Sequence, residues 1–376
     1  MINSYEDLVA LLPWTRYPGN PIIDSPQPDS YVNLNPSSWI IDPLDSSKFL
    51  LYMGEFQGAG TNGKISLFTG YLNNPSALTL YGDVITPAML TGAGISSTWG
   101  GAVYGNVVVS GSTVYYCFDT NPIGPIYIAT STDGGRTFTL NATPLLSPDE
   151  GEGEGGFETP FMTNYGGATW YLYFTVREPS PSYGFFGQDV ATASSPTGPW
   201  TRQGVNTLPN GLGGSFASFG CEGAQYYKFG SDYIAIYNGF TGANFAIGLA
   251  YSSSPLSVFS ADTEINPILH GVGGSGWESY GVVCPVLAIP SSSYSCVLFY
   301  GGFPSDMVHV NVGMVTVDIP ASSPSSSPSH SVSASPSVSV SASASTSHIG
   351  LYLRTISGTP VTLRKIDGTP ISLESL

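Results

Sequence analysis

The sequence predicts an all-β fold, and three observations support this. Charged residues make up only 10% of the 376-residue chain, while Gly (46) and Pro (30) are abundant. That balance favours strands and turns over long exposed helices. An aromatic-rich strand motif recurs five times between residues 39 and 302, and a shorter motif with turn residues lies between the copies. Repetition of this kind is typical of architectures built from one supersecondary unit.

The five copies each consist of a short strand-like segment, a turn, and a dense aromatic strand ending near Gly or Asp. They occupy residues 39–56, 101–120, 157–176, 221–240 and 282–302. Their tyrosines recur at intervals of roughly sixty residues, a period that fits a four-stranded propeller blade. The sequence therefore predicts a five-bladed β-propeller.

The shorter motif is a strand ending in Ala-x-Ser, a Gly/Pro/Ser turn and a final strand. It is found at residues 126–146, 189–209 and 247–269. The fifth copy lacks this ending, because residues 310–320 run directly into Ser-rich sequence. Residues 12–23 (LPWTRYPGNPII) resemble the outer-strand sequence PWTRQGVNTLP of the third copy. We therefore expect the N-terminal segment to complete the last blade of the domain 1–320, closing the ring and removing exposed sheet edges.

Beyond the predicted propeller the composition changes. Residues 321–347 consist almost entirely of Ser, Ala, Val and Pro, which cannot bury a core, and this predicts an extended linker. Residues 348–376 contain a ten-residue echo, TISGTPVTLR against KIDGTPISLE, with alternating apolar and polar residues. This predicts a small β tail that is too short to be stable alone. We expect it to dock on a partner or to oligomerise.

The charge balance limits the partners. A net charge of −16 with only ten Lys and Arg excludes nucleic acid as an expected partner, because phosphate contacts need a basic face. An anionic polysaccharide would be repelled for the same reason. The N-terminus lacks a basic region followed by a long apolar run, so we expect neither a secretory signal nor a membrane segment.

The four cysteines, Cys117, Cys221, Cys284 and Cys296, show no metal-ligand spacing. Three of them stand in apolar strand contexts, which favours buried free thiols. Cys284 and Cys296 would also face each other across a hairpin, and the sequence leaves this disulfide open.

Acidic residues recur near the starts of the repeats. Asp42, Glu158, Glu222 and Glu278 occupy this region in four copies, and Trp99 precedes the second. In a propeller the innermost strands surround a central funnel, so we expect these side chains to converge there. Paired carboxylates suit glycoside hydrolysis, in which one acid protonates the leaving oxygen and a second carboxylate activates water.

The segments IIDPLDSSKFLLYMG, FETPFMTNYGGATWYLYFTV and CEGAQYYKFGSDYIAIYNG resemble blade motifs of the five-bladed propeller glycoside hydrolases, the group of arabinanases, β-xylosidases and fructosidases. The resemblance spans about residues 12–319. It implies that Asp42 is the base or nucleophile, Glu222 the general acid, and Glu158 the acid that adjusts the pKa of Glu222. Two positions depart from the group's pattern, since Glu158 stands in place of Asp and Ala224 in place of Pro.

Other interpretations of these acids remain open. Asp42 before Pro43 is also a typical turn-forming residue, and Glu154 competes with Glu158. The acidic run 149–156 is typical of a solvated loop, and it would alternatively rim the cleft or bind a cation.

Candidate sugar contacts are Trp99, Arg177, Trp277 and Glu278, because aromatic faces stack on sugar C–H groups and Arg holds hydroxyls. A structural role is the alternative interpretation of Trp277, and the sequence around Trp170 is more typical of a core residue. His270 would lie either on the surface or near the axis beside a structural metal ion. No cofactor is required for the predicted chemistry.

Two functions follow. The first is a glycoside hydrolase acting on a neutral poly- or oligosaccharide. The second is a non-catalytic glycan-binding or structural protein of a virion, such as a tail or capsid appendage, attached to other virion proteins through residues 348–376. Virion proteins are made in the host cytoplasm and need no export signal, so we expect a virion or extracellular location, with the cytoplasm as the alternative.

Overall fold

A computed structural model describes residues 2–24, 31–57, 61–97, 101–102, 104–120, 124–148, 155–177, 185–274, 276–288, 295–305 and 309–318. The predicted linker 321–347 and tail 348–376 lie outside these residues, as do Trp99 and Glu154. Within the described part of the chain, no helix has the length and hydropathy of a membrane span.

The fold is all-β, and consecutive strands form antiparallel groups of four that fit propeller blades. Sheet 1 contains β2 (Tyr31–Ile41), β3 (Lys48–Gln57), β4 (Thr61–Tyr71) and β5 (Asn74–Ile85). Sheet 2 contains β6 (Gly105–Ser110), β7 (Thr113–Asp119), β8 (Ile126–Ser131) and β9 (Thr139–Leu140). Sheet 3 contains β10 (Gly156–Thr163), β11 (Trp170–Arg177), β12 (Phe185–Ala193) and β13 (Thr201–Arg202).

The remaining strands form two further groups. Sheet 4 contains β14 (Gly220–Phe229), β15 (Asp232–Phe240), β16 (Phe245–Ser252) and β17 (Leu269–His270). Sheet 5 contains β18 (Gly281–Ala288), β19 (Ser295–Phe303), β20 (Asn311–Asp318) and β1 (Thr15–Arg16). One parallel pair, Phe245 with Gly281, joins sheets 4 and 5 into a continuous eight-stranded sheet.

The N-terminal segment adds the outermost strand of sheet 5. Helix α1 (Tyr5–Val9) begins after Ser4, whose hydroxyl accepts a hydrogen bond from the backbone N–H of Asp7. Strand β1 then pairs antiparallel with β20, with Thr15 opposite Thr316 and Arg16 opposite Val315. The Thr-Arg of β1 thus has the same place in its sheet as the Thr-Arg of β13. This is the strand pairing that the similarity of the two segments predicts.

The apolar core lies between neighbouring sheets. Separate clusters of buried side chains join sheets 1 and 2, sheets 2 and 3, sheets 3 and 4, and sheets 4 and 5. A further cluster joins sheet 5 to sheet 1, through side chains such as Leu34 and Met53 from one and Val286 and Phe299 from the other. Aromatic side chains, which bury about 150–250 Å² each, contribute to every one of these clusters.

Two short helices, one 3-10 turn and the connections make up the rest of the described residues. Helix α2 (Pro87–Ala93) follows sheet 1 and ends at Gly94 in the left-handed conformation, and a 3-10 turn covers Ser215–Ala217 before sheet 4. All four cysteines are free thiols. The fold therefore holds together by strand pairing and by apolar contacts between sheets.

Candidate functional site

A pocket of about 120 Å³ lies among the first strands of the five sheets and the connection before β6. The residues with polar side chains that line it are Asn35, Ser37, Tyr104, Thr159, Glu222, Gln225, Asn238 and Cys284. Phe245 and Phe303 form an apolar part of the wall. Every sheet contributes to the lining, as expected for a site at the centre of the repeats.

A β-bulge recurs in the first strands that line this pocket. The register shifts between Pro36 and Ser38 in β2, between Glu158 and Phe161 in β10, between Glu222 and Gln225 in β14, and between Val283 and Val286 in β18. Bulges re-aim side chains and are frequent beside functional sites. Because the register shifts fall at corresponding points of four sheets, the first strands of these sheets can be aligned residue by residue.

The bulges in sheets 3, 4 and 5 share one backbone feature. Thr159, Gly223 and Cys284 adopt positive φ values of 52°, 58° and 54°. Only Gly takes this conformation without strain, so Thr and Cys in it cost about 1–3 kcal/mol each. The residues immediately before them are Glu158, Glu222 and Val283. In sheet 1 the residue equivalent to Glu158 and Glu222 is Asn35. It lies just before the bulge and pairs with Gly54 of the partner strand.

Hydrogen bonds connect neighbouring bulges. The backbone N–H of Gly223 donates to the Thr159 hydroxyl at 3.2 Å, and the N–H of Cys284 donates to Oδ1 of Asn238 at 2.9 Å. Between sheets 4 and 1, Nε2 of Gln225 donates to the Ser37 carbonyl at 2.7 Å. These bonds satisfy the backbone groups that the bulges remove from the ladders, and they fix the pocket wall.

Glu222 is the carboxylate that lines the pocket. Its side chain is 15% exposed, and Oε2 lies 3.7 Å from Nη2 of Arg177. The pKa of Glu222 is raised to about 7, because burial and the neighbouring Glu158 carboxylate raise it by more than the Arg177 charge lowers it. Glu222 is therefore partly protonated near neutral pH, so it can donate as well as accept a hydrogen bond.

Glu158 lies behind Glu222 and is held by the same arginine. Nε of Arg177 donates to Oε2 of Glu158 at 2.6 Å, and Glu158 is buried. Burial would lower the pKa of Arg177, but the charges of Glu158 and Glu222 raise it, so the guanidinium stays protonated. The structure therefore brings together three of the residues singled out in the sequence, Glu158, Arg177 and Glu222.

Asp42 lies elsewhere. It follows the far end of β2, roughly 20 Å along the strand from Asn35 at about 3.3 Å per residue. Its Oδ2 accepts from Nη2 of Arg136 at 2.7 Å, and its Oδ1 accepts from the N–H of Leu44 at 2.9 Å. This is the turn-forming arrangement that the sequence offered as the alternative. The structure does not bring Asp42 to the pocket.

Glu278 and Trp277 also lie apart from the pocket, beside the N-terminal strand. Oε2 of Glu278 accepts from Nε of Arg16 at 2.9 Å, and Oε1 accepts from the Tyr300 hydroxyl at 2.7 Å. Trp277 stacks on Tyr300 with ring centroids 5.7 Å apart. Glu278 therefore holds β1 on sheet 5 through Arg16, and Trp277 packs on β19. The position of Trp277 agrees with its structural alternative, and neither residue lines the pocket as a sugar contact would.

The other residues that the sequence singled out have simpler places. His270 is exposed on β17, the outermost strand of sheet 4, and Trp170 is buried in the core between sheets 2 and 3. Trp99 lies outside the described residues. No group of three or more His, Cys, Asp and Glu side chains in the described segments is arranged to hold a metal ion.

The sequence did not predict several of the pocket residues, namely Asn35, Tyr104, Gln225, Asn238, Phe245 and Phe303. One signal would have found Asn35. A proline stands one or two residues after the aligned position in three of the strands, as Pro36, Pro160 and Pro285. Aligning the strands on this proline, instead of on the acids that precede aromatic strands, makes Asn35 equivalent to Glu158.

Comparison with known proteins identifies the fold. No family model and no curated protein matches the chain. Among solved structures, a thermostable family-43 glycoside hydrolase aligns with a TM-score of 0.57 and 15% identity over 79% of this chain and 91% of its own. An α-L-arabinofuranosidase from Podospora anserina, in complex with cellotriose, aligns with a TM-score of 0.56 and 13% identity over 81% of this chain and 96% of its own.

A third structure, the catalytic domain of a GH62 α-L-arabinofuranosidase from Coprinopsis cinerea, gives a TM-score of 0.58 and 12% identity over 81% and 96% of the two chains. At these identities the likeness is one of fold, and fold does not fix function. The chain therefore has the propeller-type fold of these glycoside hydrolases.

Proposed function

We propose that the chain is a five-bladed β-propeller, closed by β1, whose central pocket binds a neutral glycan without hydrolysing it. The closed ring is supported by the cores that join each sheet to the next and sheet 5 to sheet 1. Pairing of β1 with β20 supports it further, because it covers the last edge.

One observation carries the non-hydrolytic part of the proposal. The aligned bulge position holds a carboxylate in sheets 3 and 4, Glu158 and Glu222, but an amide in sheet 1, Asn35. Hydrolysis of a glycosidic bond uses two carboxyl groups that flank it. Asn35 cannot take up a proton as a base does, and Glu158 is engaged by Arg177. Of the described residues that line the pocket, Glu222 is the one acid.

The pocket has the chemistry expected for an uncharged sugar. It combines amide and hydroxyl groups from Asn35, Gln225, Asn238 and Tyr104 with the apolar wall of Phe245 and Phe303. Sugars present hydroxyls and apolar C–H faces, and such a mixture matches both. The partial protonation of Glu222 reduces the negative charge of the site, which also suits a neutral partner.

The test measures glycan binding and glycan release together. Wild type, Glu222→Gln, Asn35→Asp and the distant control Asp42→Asn are applied to an array of neutral oligosaccharides, and release of reducing ends is followed in parallel. We expect wild type and Asp42→Asn to bind alike and release nothing, and Glu222→Gln to bind at least several-fold more weakly. Release by wild type that is lost in Glu222→Gln would overturn the non-hydrolytic proposal.

The second candidate function is a glycoside hydrolase, and the raised pKa of Glu222 favours it. A carboxyl group with a pKa of about 7 beside an arginine and a second acid is an arrangement typical of a general acid. The same experiment separates the two functions, because loss of release in Asp42→Asn as well would restore Asp42 as the base. Release that appears only in Asn35→Asp would instead identify Asn35 as the position of a missing base.

The attachment role is a proposal from sequence alone. The Ser-rich segment 321–347 and the β-like tail 348–376 suit a module displayed at a distance from a larger assembly, such as a virion. Removal of residues 321–376 is expected to leave glycan binding intact and to abolish incorporation into that assembly. A truncated chain that still co-purifies with virions would contradict it.

A further inference from the structure

Four phenylalanines form a connected row at the rim of the pocket. Phe303 and Phe245, which line the pocket, have ring centroids 5.9 Å apart. Phe245 stacks on Phe240 at 4.3 Å with an interplanar angle of 15°, and Phe240 meets Phe219 edge to face at 5.4 Å and 82°. We call these four residues the aromatic row. It leads from the wall beside Glu222 to the protein surface.

The row is built on the backbone of sheets 4 and 5. Phe240 ends β15 and Phe245 begins β16, and the two are paired in the ladder. The backbone N–H of Phe219 donates to the Phe240 carbonyl at 2.9 Å, just before β14. Phe303 pairs with Gly281, which in turn pairs with Phe245. The rings are therefore held by strand pairing and do not depend on a flexible loop for their positions.

Phe219 is the outermost residue of the aromatic row, and its side chain is exposed to solvent. It is 52% exposed, and it is the one phenylalanine among the described residues with this degree of exposure. The other three are half-buried. An exposed apolar ring that continues the wall of a pocket is typical of a ligand-binding surface.

From this geometry we infer that Phe219 is the stacking platform for a second sugar unit, so that the pocket takes an oligosaccharide in preference to a monosaccharide. The inference rests on the proposed glycan-binding function and specifies the class of glycan. The first unit contacts Glu222 between Asn35 and Asn238, and the chain then leaves over Phe245 and Phe240. The C–H face of the next unit packs on the Phe219 ring, as apolar faces do on aromatic side chains. Rings without charge at this rim favour a neutral chain.

The experiment compares glycans of increasing length by calorimetry, from monosaccharide to hexasaccharide of the neutral series that binds best. The full chain carries Phe219→Ala, Phe219→Tyr or the control Tyr81→Ala, whose side chain is similarly exposed (56%) on β5 of sheet 1. We expect Phe219→Ala to weaken the longer glycans by about three- to tenfold while leaving the monosaccharide unchanged. Phe219→Tyr should keep the wild-type affinities, and Tyr81→Ala should change none.

The outcomes distinguish this inference from the proposed function. If wild type binds neutral glycans but Phe219→Ala binds every length with unchanged affinity, the platform is refuted and the pocket function stands. If Phe219→Ala weakens the monosaccharide as much as the longer glycans, Phe219 supports the pocket wall and binds no second unit. If wild type binds no glycan of any length, the proposed function itself fails.

Discussion

Two of the acid–arginine pairs in this molecule have the same chemistry and different surroundings. Asp42 pairs with Arg136 at 2.7 Å beyond the far end of β2, where the acid also caps a turn. Glu158 pairs with Arg177 at 2.6 Å beside the pocket, where the arginine also faces Glu222. At the second site, burial and the charge of a second acid, Glu158, raise the pKa of Glu222 against the lowering effect of Arg177. The bulge register, rather than the residue types, creates this difference.

The largest expected effect comes from removing each arginine. Arg177→Met removes the partner of the buried Glu158 and of the half-buried Glu222, whereas Arg136→Met removes the partner of Asp42 alone. Breaking a buried ion pair costs about 3–5 kcal/mol of unfolding free energy, and we expect Arg177→Met to lie at the upper end. Denaturant unfolding measures both losses, and glycan-array binding should fall in Arg177→Met alone. Equal loss of binding in Arg136→Met would mean that the two regions are coupled.

The pH dependence of stability sharpens the comparison at Glu222. Its pKa in the folded protein is raised from 4.5 to about 7, so between these pH values the folded state holds more protons than the unfolded state. The contribution of Glu222 to the free energy of unfolding is therefore fully present below pH about 4.5. It is lost as pH rises towards about 7, by about 1.4 kcal/mol per pH unit at most. The difference in unfolding free energy between wild type and Glu222→Gln measures it. A difference that does not change between these pH values would contradict the raised pKa.

A smaller effect is expected at the bulge itself. Gly223 has φ +58°, and a Cβ there would lie 2.6 Å from Nδ2 of Asn238, whereas Gly211 has φ +81° with nothing within 4 Å. Each Gly→Ala change strains the backbone by about 1–2 kcal/mol, and at Gly223 the crowding adds about 1–3 kcal/mol. Thermal unfolding of the two variants isolates the crowding. Equal losses would mean that the Asn238 side chain moves aside at no cost.

Much of the fold was predictable because it is repetitive. The aromatic strands, the turn residues and the match between residues 12–23 and the third repeat predicted the four-stranded sheets and the β1–β20 pairing. Each copy supports the interpretation of the others, so local ambiguity about any one strand matters little. The site was less predictable. Glu158, Arg177 and Glu222 do meet, but Asp42, Trp277 and Glu278 lie elsewhere.

Asp42 and Glu278 are misplaced for two different physical reasons, the position of a strand end and a contact with a distant residue. The sequence around Asp42 contains an Asp-Pro before an aromatic strand, and nothing in it reports that β2 begins eleven residues earlier, at Tyr31. Glu278 resembles an axial acid in sequence, yet Arg16, distant in the chain, pairs with it.

The sequence alone determined the all-β class, the repeated blade unit and the acidic, low-charge character of the chain, because periodicity and composition are local properties. Only the tertiary structure decided which acids share an arginine, that Asn35 lies in line with Glu158 and Glu222, and that Phe219 continues the pocket wall. These depend on strand register and on contacts between residues far apart in the chain. Local sequence carries no record of such contacts, since they arise when neighbouring sheets pack together.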